Sequence, residues 1–411
     1  MNTVILPSQR SGPPTCEDAS SSGRSILLAS GVITAVFVLS NSATPLYMLW
    51  QHRFGFSSGT LTAIFAAYIL GLLVTLPVAG QLSDRLGRRP VLLPGLVSAL
   101  VACALFATAG SISALLAGRF LTGAAVGVIV SAGMAAVMDV GGHTRKRQAS
   151  LAASVAMVIG AGLGPLGAGM VAQWAHSPIP MIFAIEAALV VLAAVVVATL
   201  PLRRHPRPCA ATGIDRFALR LPTIPTANRA HLIQGAAVFA PGLTATSFVL
   251  ALGPSLLSRL LGVTSPLVAG LTACAMFLTA TGVQFAGRGV SVRAMFFLSC
   301  TATAGAMVGL LGAIYFSNPV LLVAAAILAG AGQGLGQLGG LTLISLHVPE
   351  TRRAEAISLL NMGAYVSAGV LPMLSGLAID TFGLRGGATT FAGVLLCSVA
   401  LSALHVARQK A

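Results

Sequence analysis

Long apolar runs separated by short polar segments dominate the sequence. Twelve of these runs approach or exceed the length of about 20 residues that crosses a bilayer core as a helix. Backbone polar groups inside a bilayer must be satisfied within the structure, so we predict helices and not strands for them. The predicted spans are residues 26–49, 60–79, 91–109, 113–138, 149–173, 179–200, 230–256, 266–286, 294–316, 319–346, 355–379 and 387–407.

The composition supports a membrane protein. Of the 411 residues, 56% are hydrophobic and only 8% are charged. Soluble globular proteins carry roughly 25% charged residues, so this chain is not a long soluble enzyme, and its apolar content excludes intrinsic disorder. The six scattered cysteines suggest neither a metal site nor a disulfide framework.

The positions of the basic residues predict the orientation. If the N-terminus is placed in the cytoplasm, all but four of the 24 lysines and arginines lie in cytoplasmic segments. This is the positive-inside rule, and it explains the net charge of +15 without a nucleic-acid partner. Trp50 and Trp174 fall at predicted outer ends of spans, where we expect interfacial anchors. The four exceptional arginines are Arg53, Arg119, Arg259 and Arg385.

The chain divides into two halves. A segment rich in proline and arginine separates six predicted helices from six others. Shifting the sequence by 207 residues without gaps superposes glycine, arginine and proline positions, which indicates two duplicated bundles. Superposed pairs include Gly123 with Gly330, Arg145 with Arg352, and Pro165 with Pro372. The predicted parts are a cytoplasmic tail 1–25, a bundle 26–200, a cytoplasmic linker 201–229, a bundle 230–407 and a cytoplasmic tail 408–411.

The loop between spans two and three contains one carboxylate among three arginines. It reads Gly-Gln-Leu-Ser-Asp-Arg-Leu-Gly-Arg-Arg-Pro from Gly80 to Pro90. Ion pairs could latch this loop to neighbouring helix ends and so favour one conformation. The alternative is a basic loop that only fixes the topology. The residues of the predicted latch are Gly80, Asp84, Arg85, Gly87, Arg88 and Arg89.

This loop resembles the signature Gly-x-Leu-x-Asp-Arg-x-Gly-Arg-Arg of the major facilitator superfamily. The resemblance covers the whole chain, with its twelve spans, two bundles and central cytoplasmic segment. It implies an all-α membrane fold in which two bundles rock about a central site and expose it alternately to each side. It also implies that Asp84 meets the start of span eleven, and that Arg88 meets an acid at the inner end of span four, where Asp139 lies.

Span four carries an arginine within its apolar run. Arg119, with Gly123 four residues later, resembles a second motif of the family. An arginine inside a membrane helix usually faces a cavity or a partner, which makes it a coupling candidate. The alternative is a structural arginine that binds helix carbonyls.

Span five contains a run of small residues. Gly160 and Gly164 would flatten one helix face, and Pro165 would bend the helix. Together with Gly169 they resemble the motif that the family associates with drug:proton antiporters. The alternative is a generic packing face.

Glu186 is the one carboxylate clearly within a predicted span. It is therefore the default candidate for a proton site, although it could instead dock to a neighbouring helix. Its predicted depth is similar to that of Arg119, so the two could pair. Many antiporters of the family carry an acid in span one, where this chain has Asn41.

Polar residues in several spans are candidates for a substrate cavity. They could bind neutral or amphipathic solutes by hydrogen bonds within an apolar cleft, or they could serve only to join helices. By resemblance, spans one, four, seven and ten should line the cavity. The candidates are Asn41, Tyr68, Gln333, Gln337, Asn361 and Tyr365.

These features favour a secondary transporter. The leading hypothesis is proton-driven efflux of small amphipathic organic compounds from a bacterium by a monomer in its inner membrane. Uptake of a small metabolite and a transport-inactive sensor remain alternatives. No set of catalytic side chains converges in the spans, so we expect neither an enzyme nor a cofactor or metal site beyond the driving ion gradient.

Overall fold

The computed structural model describes residues 23–142, 144–200, 202, 228–287 and 289–408. This part of the chain is helical and contains no strand. Eleven of its helices are long and apolar enough to cross a membrane, which confirms the predicted fold class. Residues 1–22 of the predicted tail, nearly all of the predicted linker, and residues 409–411 lie outside the described residues.

The helices begin at polar caps and prolines encoded in the short connecting segments. Ser57, Ser111 and Ser291 each accept a hydrogen bond from the backbone N–H three residues later, which satisfies an otherwise open donor of the first turn. The first ten helices are α1 Gly23–Phe54, α2 Ser58–Leu86, α3 Arg89–Ala107, α4 Ile112–Gly141, α5 Lys146–Trp174, α6 Pro178–Thr199, α7 Arg229–Arg259, α8 Pro266–Ala286, α9 Val292–Tyr315 and α10 Pro319–His347.

The last helical run, Glu350–Arg408, is two membrane spans joined at a single residue. A straight helix of its 59 residues would be about 88 Å long, almost three bilayer cores. Gly383 interrupts it with a φ of 76° and a ψ of 167°. A Cβ on Gly387 would lie 2.5 Å from the backbone nitrogen of Ile379, although a straight helix would separate these residues by about 12 Å. The chain therefore reverses at Gly383, and we call residues 350–382 α11 and residues 384–408 α12.

This reversal corrects the sequence prediction in one respect. Counting the two arms separately gives twelve helices in the described part of the chain, the number of spans predicted, but no loop separates the last two. The segment between the predicted spans 355–379 and 387–407 is helical except at Gly383. The φ of Gly383 is positive, a conformation that glycine adopts at little cost.

The helices of the described residues pack in two groups of six. In the first group α1 lies along α5, α2 lies along α4, and α3 contacts both α4 and α6. In the second group α7 contacts α10 and the α11–α12 run, and α9 lies along α10. Equivalent glycines make equivalent contacts: a Cβ on Gly123 of α4 would strike the carbonyl of Tyr68 in α2, and one on Gly330 of α10 would strike that of Met276 in α8.

The described basic residues concentrate on one face of the molecule. We call the face where α2 ends and α3 begins the basic face, and the other the opposite face. The opposite face carries only Arg53, Arg259 and Arg385 of the described arginines and lysines. The basic face carries Arg24, Arg85, Arg88, Arg89, Arg145, Lys146, Arg147, Arg229, Arg293, Arg352, Arg353 and Arg408.

One of the two predicted tryptophan anchors is wrong. The side chain of Trp174 is 69% exposed at the end of α5, as an interfacial residue should be. Trp50 is fully buried, with its ring centroid 5.7 Å from that of Phe106 and 6.1 Å from that of Phe183. Packing against these aromatic rings of α3 and α6 provides more buried contact than a position in the headgroup layer.

Small residues bring the backbones of α1 and α5 into direct contact. A Cβ on Gly160 would lie 2.6 Å from the carbonyl oxygen of Thr34, and a Cβ on Gly164 would strike the carbonyl of Val38. The spacing of four residues therefore flattens one face of α5, as predicted.

The other end of the same segment contacts the second group of helices. A Cβ on Gly169 would lie 2.7 Å from the carbonyl oxygen of Pro266 in α8. Pro165 lies inside the continuous helix α5, and its carbonyl faces Gly270 of α8. The run of small residues thus packs on a helix of its own group and on a helix of the other group.

We expect Gly164→Ala to lower the melting temperature of the purified protein in detergent. The added methyl group must push α1 and α5 apart, and overpacking of this kind costs roughly 1–3 kcal/mol. The matched control is Gly167→Ala in the same helix, where a Cβ meets nothing within 4 Å. Equal melting temperatures for the two variants would contradict this account of the α1–α5 contact.

Candidate functional site

A cavity of about 530 Å³ lies between the two groups of helices, a volume suited to a small organic ligand. Its walls come from α1, α2, α4 and α5 on one side and from α7, α8, α10 and α11 on the other. This is a wider set of helices than the four expected from the family resemblance. All six residues predicted as cavity candidates line it, namely Asn41, Tyr68, Gln333, Gln337, Asn361 and Tyr365.

The cavity extends toward the basic face. Its lining includes Phe285 next to the last residue of α8, Leu341 in the final two turns of α10, and Ile357 near the start of α11. In α1, which ends at the opposite face, the lining stops at Asn41, well before Phe54. A solute could therefore enter from the basic face.

Asp380 joins the two groups of helices at the opposite face. Its carboxylate, near the end of α11, accepts hydrogen bonds from the backbone N–H groups of Ser58 (2.9 Å) and Gly59 (2.8 Å) at the start of α2. The amino end of a helix carries a partial positive charge, so this contact is electrostatically favourable. A Cβ on Gly59 would lie 2.6 Å from a carboxylate oxygen of Asp380, so the close approach depends on glycine.

Two further hydrogen bonds link the groups at this face. The hydroxyl of Ser255 in α7 donates to Oε1 of Gln51 in α1 over 3.0 Å, within a buried contact. The hydroxyl of Ser265, just before α8, donates to Oε1 of Gln173 in α5 over 2.8 Å. With the contact of Asp380, three pairs of helices are thus joined at the opposite face.

The predicted latch is partly formed at the basic face. Nε of Arg88 donates to a carboxylate oxygen of Asp139 at 2.9 Å, which is the pair that the family resemblance implied. Nη1 of Arg88 donates to Asp84 at 2.6 Å and to the hydroxyl of Ser83 at 2.9 Å. Partial burial acts to lower the pKa of Arg88, but the hydrogen bonds to Asp139 and Asp84 outweigh burial and raise it.

Among the described side chains, Asp84 contacts Arg88 and not the start of α11 as expected. Its carboxylate, in the last turn of α2, pairs with Arg88 four residues later, and its side chain is 71% exposed. The cavity extends to the basic face between the two groups, and this arrangement accounts for the unmade contact.

The remaining latch residues have distinct local roles. Gly87 ends α2 with a φ of 95°, a conformation that favours glycine. Arg89 donates from Nη2 to the carbonyl of Leu200 at 2.7 Å, where it satisfies an open acceptor at the end of α6. Arg85 is exposed, and a Cβ on Gly80 would make only an ordinary van der Waals contact.

Arg119 lies in the wall of the cavity with 1% of its surface exposed. Its Nη1 donates to the carbonyl of Ser40 in α1 at 2.8 Å. The guanidinium carbon lies 4.9 Å from the ring centroid of Tyr47 and 6.0 Å from that of Tyr68, within cation–π range. Nε and Nη2 have no hydrogen-bond partner.

Glu186 occupies a different place from the one expected. It is buried on α6 with 3% exposure and is not among the residues that line the cavity. Arg119 and Glu186 both belong to the described part of the chain, and they form no ion pair within 4.0 Å. The ion pair that their similar depth allowed is therefore not formed between these two described residues, although the charge of Arg119 still acts on the Glu186 carboxyl group.

Sequence reasoning missed two features of this region. Asp380 directly follows the predicted span 355–379, and no local pattern indicates its role, because its partners lie more than 300 residues away in the sequence. A π-helical turn at Ile129–Gly133 of α4 places Val130 in the cavity wall. Such turns occur frequently at functional sites, but no sequence signal indicated this one.

Comparison with known proteins identifies the family. The sequence profile of the Major Facilitator Superfamily matches residues 26–291 and 235–411, which together span both groups of helices. The chain is a member of the major facilitator superfamily. This family is one of membrane transporters, which are not enzymes.

Two relatives match this superfamily member over only part of their length. A triacylglyceride transporter of Mycobacteroides abscessus is 28% identical over 146 residues, which cover 35% of this chain and 28% of the relative. The class C tetracycline resistance protein of Escherichia coli is 36% identical over 118 residues, which cover 28% of this chain and 29% of the relative. The chain thus spans less than a third of either relative.

A solved structure shows the same fold over nearly the whole chain. A bacterial homologue of the human lysosomal transporter Spinster, in an inward-facing and occupied conformation, superposes with a TM-score of 0.72. The match covers 94% of this chain and 96% of that one, at 14% sequence identity. This likeness concerns the fold alone.

The two carboxylates bound to Arg88 should contribute differently to the stability of the fold and to transport. We expect Asp139→Asn to lower stability by roughly 1–3 kcal/mol, because the Asp139 side chain is only 25% exposed and bonds to a charged group. We expect Asp84→Asn to cost under about 1 kcal/mol, as exposed pairs do, but to reduce transport strongly. Melting curves measure the loss of stability in each variant, and flux measurements measure transport. Equal destabilisation by the two substitutions, or normal flux with Asp84→Asn, would contradict a stabilising role for Asp139 and a transport role for Asp84.

Removing the carboxylate of Asp380 should loosen the opposite face. In Asp380→Asn we expect faster hydrogen–deuterium exchange of the amides of Ser58 and Gly59, because the charge that stabilises the start of α2 is lost. The matched control is Thr381→Ala, since the hydroxyl of Thr381 bonds only to carbonyls of its own helix. Unchanged exchange in Asp380→Asn would refute the role of Asp380 in closing this face.

Proposed function

We propose that this superfamily transporter exports small amphipathic organic compounds by alternating access, driven by proton entry. The observation that carries the proposal is the cavity itself. Both groups of helices line it, it extends to the basic face, and three inter-group contacts close the opposite face. If the basic face is cytoplasmic, as the positive-inside rule favours, the cavity is positioned to load solute from the cytoplasm.

The direction of transport rests on two further observations. The small-residue segment of α5, which resembles the exporter motif, packs on both groups of helices through Gly164 and Gly169. A relative with 36% identity over its matched stretch is described as a tetracycline resistance protein. Both favour export from the cell, and we place the protein as a monomer in a bacterial inner membrane with both termini in the cytoplasm.

The two faces would open and close in turn through two opposed contacts between α2 and α11. In the described state Asp380 of α11 binds the first amides of α2 at the opposite face. In the alternate state Asp84 at the end of α2 would leave Arg88 and meet the first turn of α11 at the basic face. Each helix of the pair would then offer a carboxylate to the start of the other, one in each state, so the two contacts oppose each other.

Proton coupling is assigned to Glu186. A buried carboxylate without an ion-pair partner is a natural carrier of a proton within the membrane, and Oε2 of Glu186 has no hydrogen-bond partner. Because Glu186 lies on α6 outside the cavity, coupling would act through the packing of α6 on α1 and α3 and not through contact with the solute.

Transport should be measured with the intact protein in cells and in proteoliposomes. We expect expression to lower the accumulation of tetracycline or of other amphipathic compounds in a diverse panel, and an imposed pH gradient to accelerate their efflux. Glu186→Gln should abolish the dependence on the pH gradient. Raised accumulation would indicate uptake, absence of flux for every compound would indicate a sensor, and an unchanged pH profile in Glu186→Gln would exclude Glu186 as the coupling site.

A further inference from the structure

We propose that the solute of this transporter is an organic anion that also carries a hydrogen-bond donor. Its anionic group would bind the guanidinium of Arg119, and its donor would reach the side-chain oxygen of Gln333. The inference rests on the proposed transport function and defines the chemical class of the cargo.

The charge of the cavity favours an anion. Among the described residues that line it, Arg119 is the one side chain with a full charge, and the others are apolar, hydroxyl-bearing, amide-bearing or thioether side chains. Asp84, Asp139 and Glu186 lie elsewhere. A positively charged solute would therefore meet only repulsion from the side-chain charge in the wall, whereas an anion would meet attraction in a medium that screens it weakly.

The open donors of Arg119 form a site that matches a carboxylate. Nη1 is used by the carbonyl of Ser40, and the rings of Tyr47 and Tyr68 contact the guanidinium. Nε and Nη2, which are buried and meet no acceptor within hydrogen-bond distance among the described residues, form one edge of the planar group beside Tyr47 and direct their hydrogens side by side. Two parallel N–H donors are the geometry that binds carboxylate bidentately.

A buried cation with two unused donors is costly to maintain. Its desolvation is compensated only in part by the Ser40 carbonyl, by the side chains of Tyr47 and Tyr68, and by the more distant carboxyl group of Glu186. An anionic group on the solute would supply the missing acceptors, while a neutral group would supply them less strongly. The solute would thus gain binding energy from the Nε and Nη2 donors of Arg119, which the protein itself leaves without acceptors.

The other half of the cavity has an unsatisfied acceptor. Oε1 of Gln333 in α10 is buried without a hydrogen-bond partner. A solute that bonds to both Arg119 in α4 and Gln333 in α10 would bridge the two groups of helices. Such a bridge gives the solute a different affinity for each arrangement of the groups, which is what couples binding to conformational change.

An anionic solute also suits export from a cell. The interior of a bacterial cell is electrically negative, so outward movement of an anion is favoured by the membrane potential. A cationic solute would require a carboxylate in the cavity wall, whereas an anionic solute does not. None of the described lining residues supplies a carboxylate.

Binding to the intact protein in nanodiscs of zwitterionic lipid tests the inference. The probes are three compounds with one skeleton: N-acetylphenylalanine as the anion, its neutral primary amide, and cationic phenylalaninamide. We expect the anion to bind at least about tenfold more tightly than the amide, and Arg119→Gln to remove this preference. Equal binding of anion and amide, or preference for the cation, would overturn the proposal.

A second test does not depend on the choice of solute or on the folding of Arg119→Gln. Asn41→Asp places a carboxylate beside Ser40, whose carbonyl contacts Arg119. We expect this internal anion to raise the melting temperature and to abolish binding of N-acetylphenylalanine. The matched control, Asn361→Asp, adds the same charge on α11 and should not raise the melting temperature.

The outcomes separate this inference from the function on which it depends. If neutral or cationic compounds bind and are exported while anions are not, the anion site is excluded and the export function stands. If Asn41→Asp is as destabilising as Asn361→Asp, the open edge of Arg119 is not an anion site. If no compound of any charge is moved, the proposed transport function fails. Competition by dodecanoate would indicate that the anion comes from a lipid.

Discussion

The contact between Asp380 and the first two amides of α2 holds the two groups of helices together at the opposite face. It is an inter-group bond made by a charged side chain to the positive end of a helix, and it needs glycine at position 59 to form. The bonds from Ser255 to Gln51 and from Ser265 to Gln173 reinforce it at the same face. With this face held together, the space between the two groups can widen only toward the basic face, and the polar lining becomes accessible from there.

Arg119 and Glu186, two buried ionisable residues of the first group of helices, form no ion pair with each other, and this shapes the chemistry of the cavity. Arg119 faces the space between the groups, whereas Glu186 is enclosed against α1 and α3. Had they formed an ion pair, the guanidinium would have been neutralised and the cavity would offer only weakly polar groups. The arrangement leaves the buried Nε and Nη2 of Arg119 and Oε2 of Glu186 without a hydrogen-bond partner among the described residues.

The sequence determined the fold and the contents of the cavity because both follow from short-range or repeated patterns. Apolar runs set the spans, the spacing of Gly160 and Gly164 set a packing face, and six polar side chains were placed together by the duplicated topology. What could not be predicted depends on how helices are turned toward one another. Trp50 at the end of α1 could face lipid or a neighbour, and only the aromatic rings of α3 and α6 decide that it is buried.

The single-residue joint at Gly383 has a mechanical consequence. Because no loop separates α11 from α12, a tilt of α11 must be transmitted to α12, which presents Val394, Leu401 and Leu404 outward. A swing that alters access to the cavity would then also displace acyl chains around the protein. Membrane thickness would in this way act on the balance between the two states, since a bilayer resists changes in the hydrophobic length it has to match.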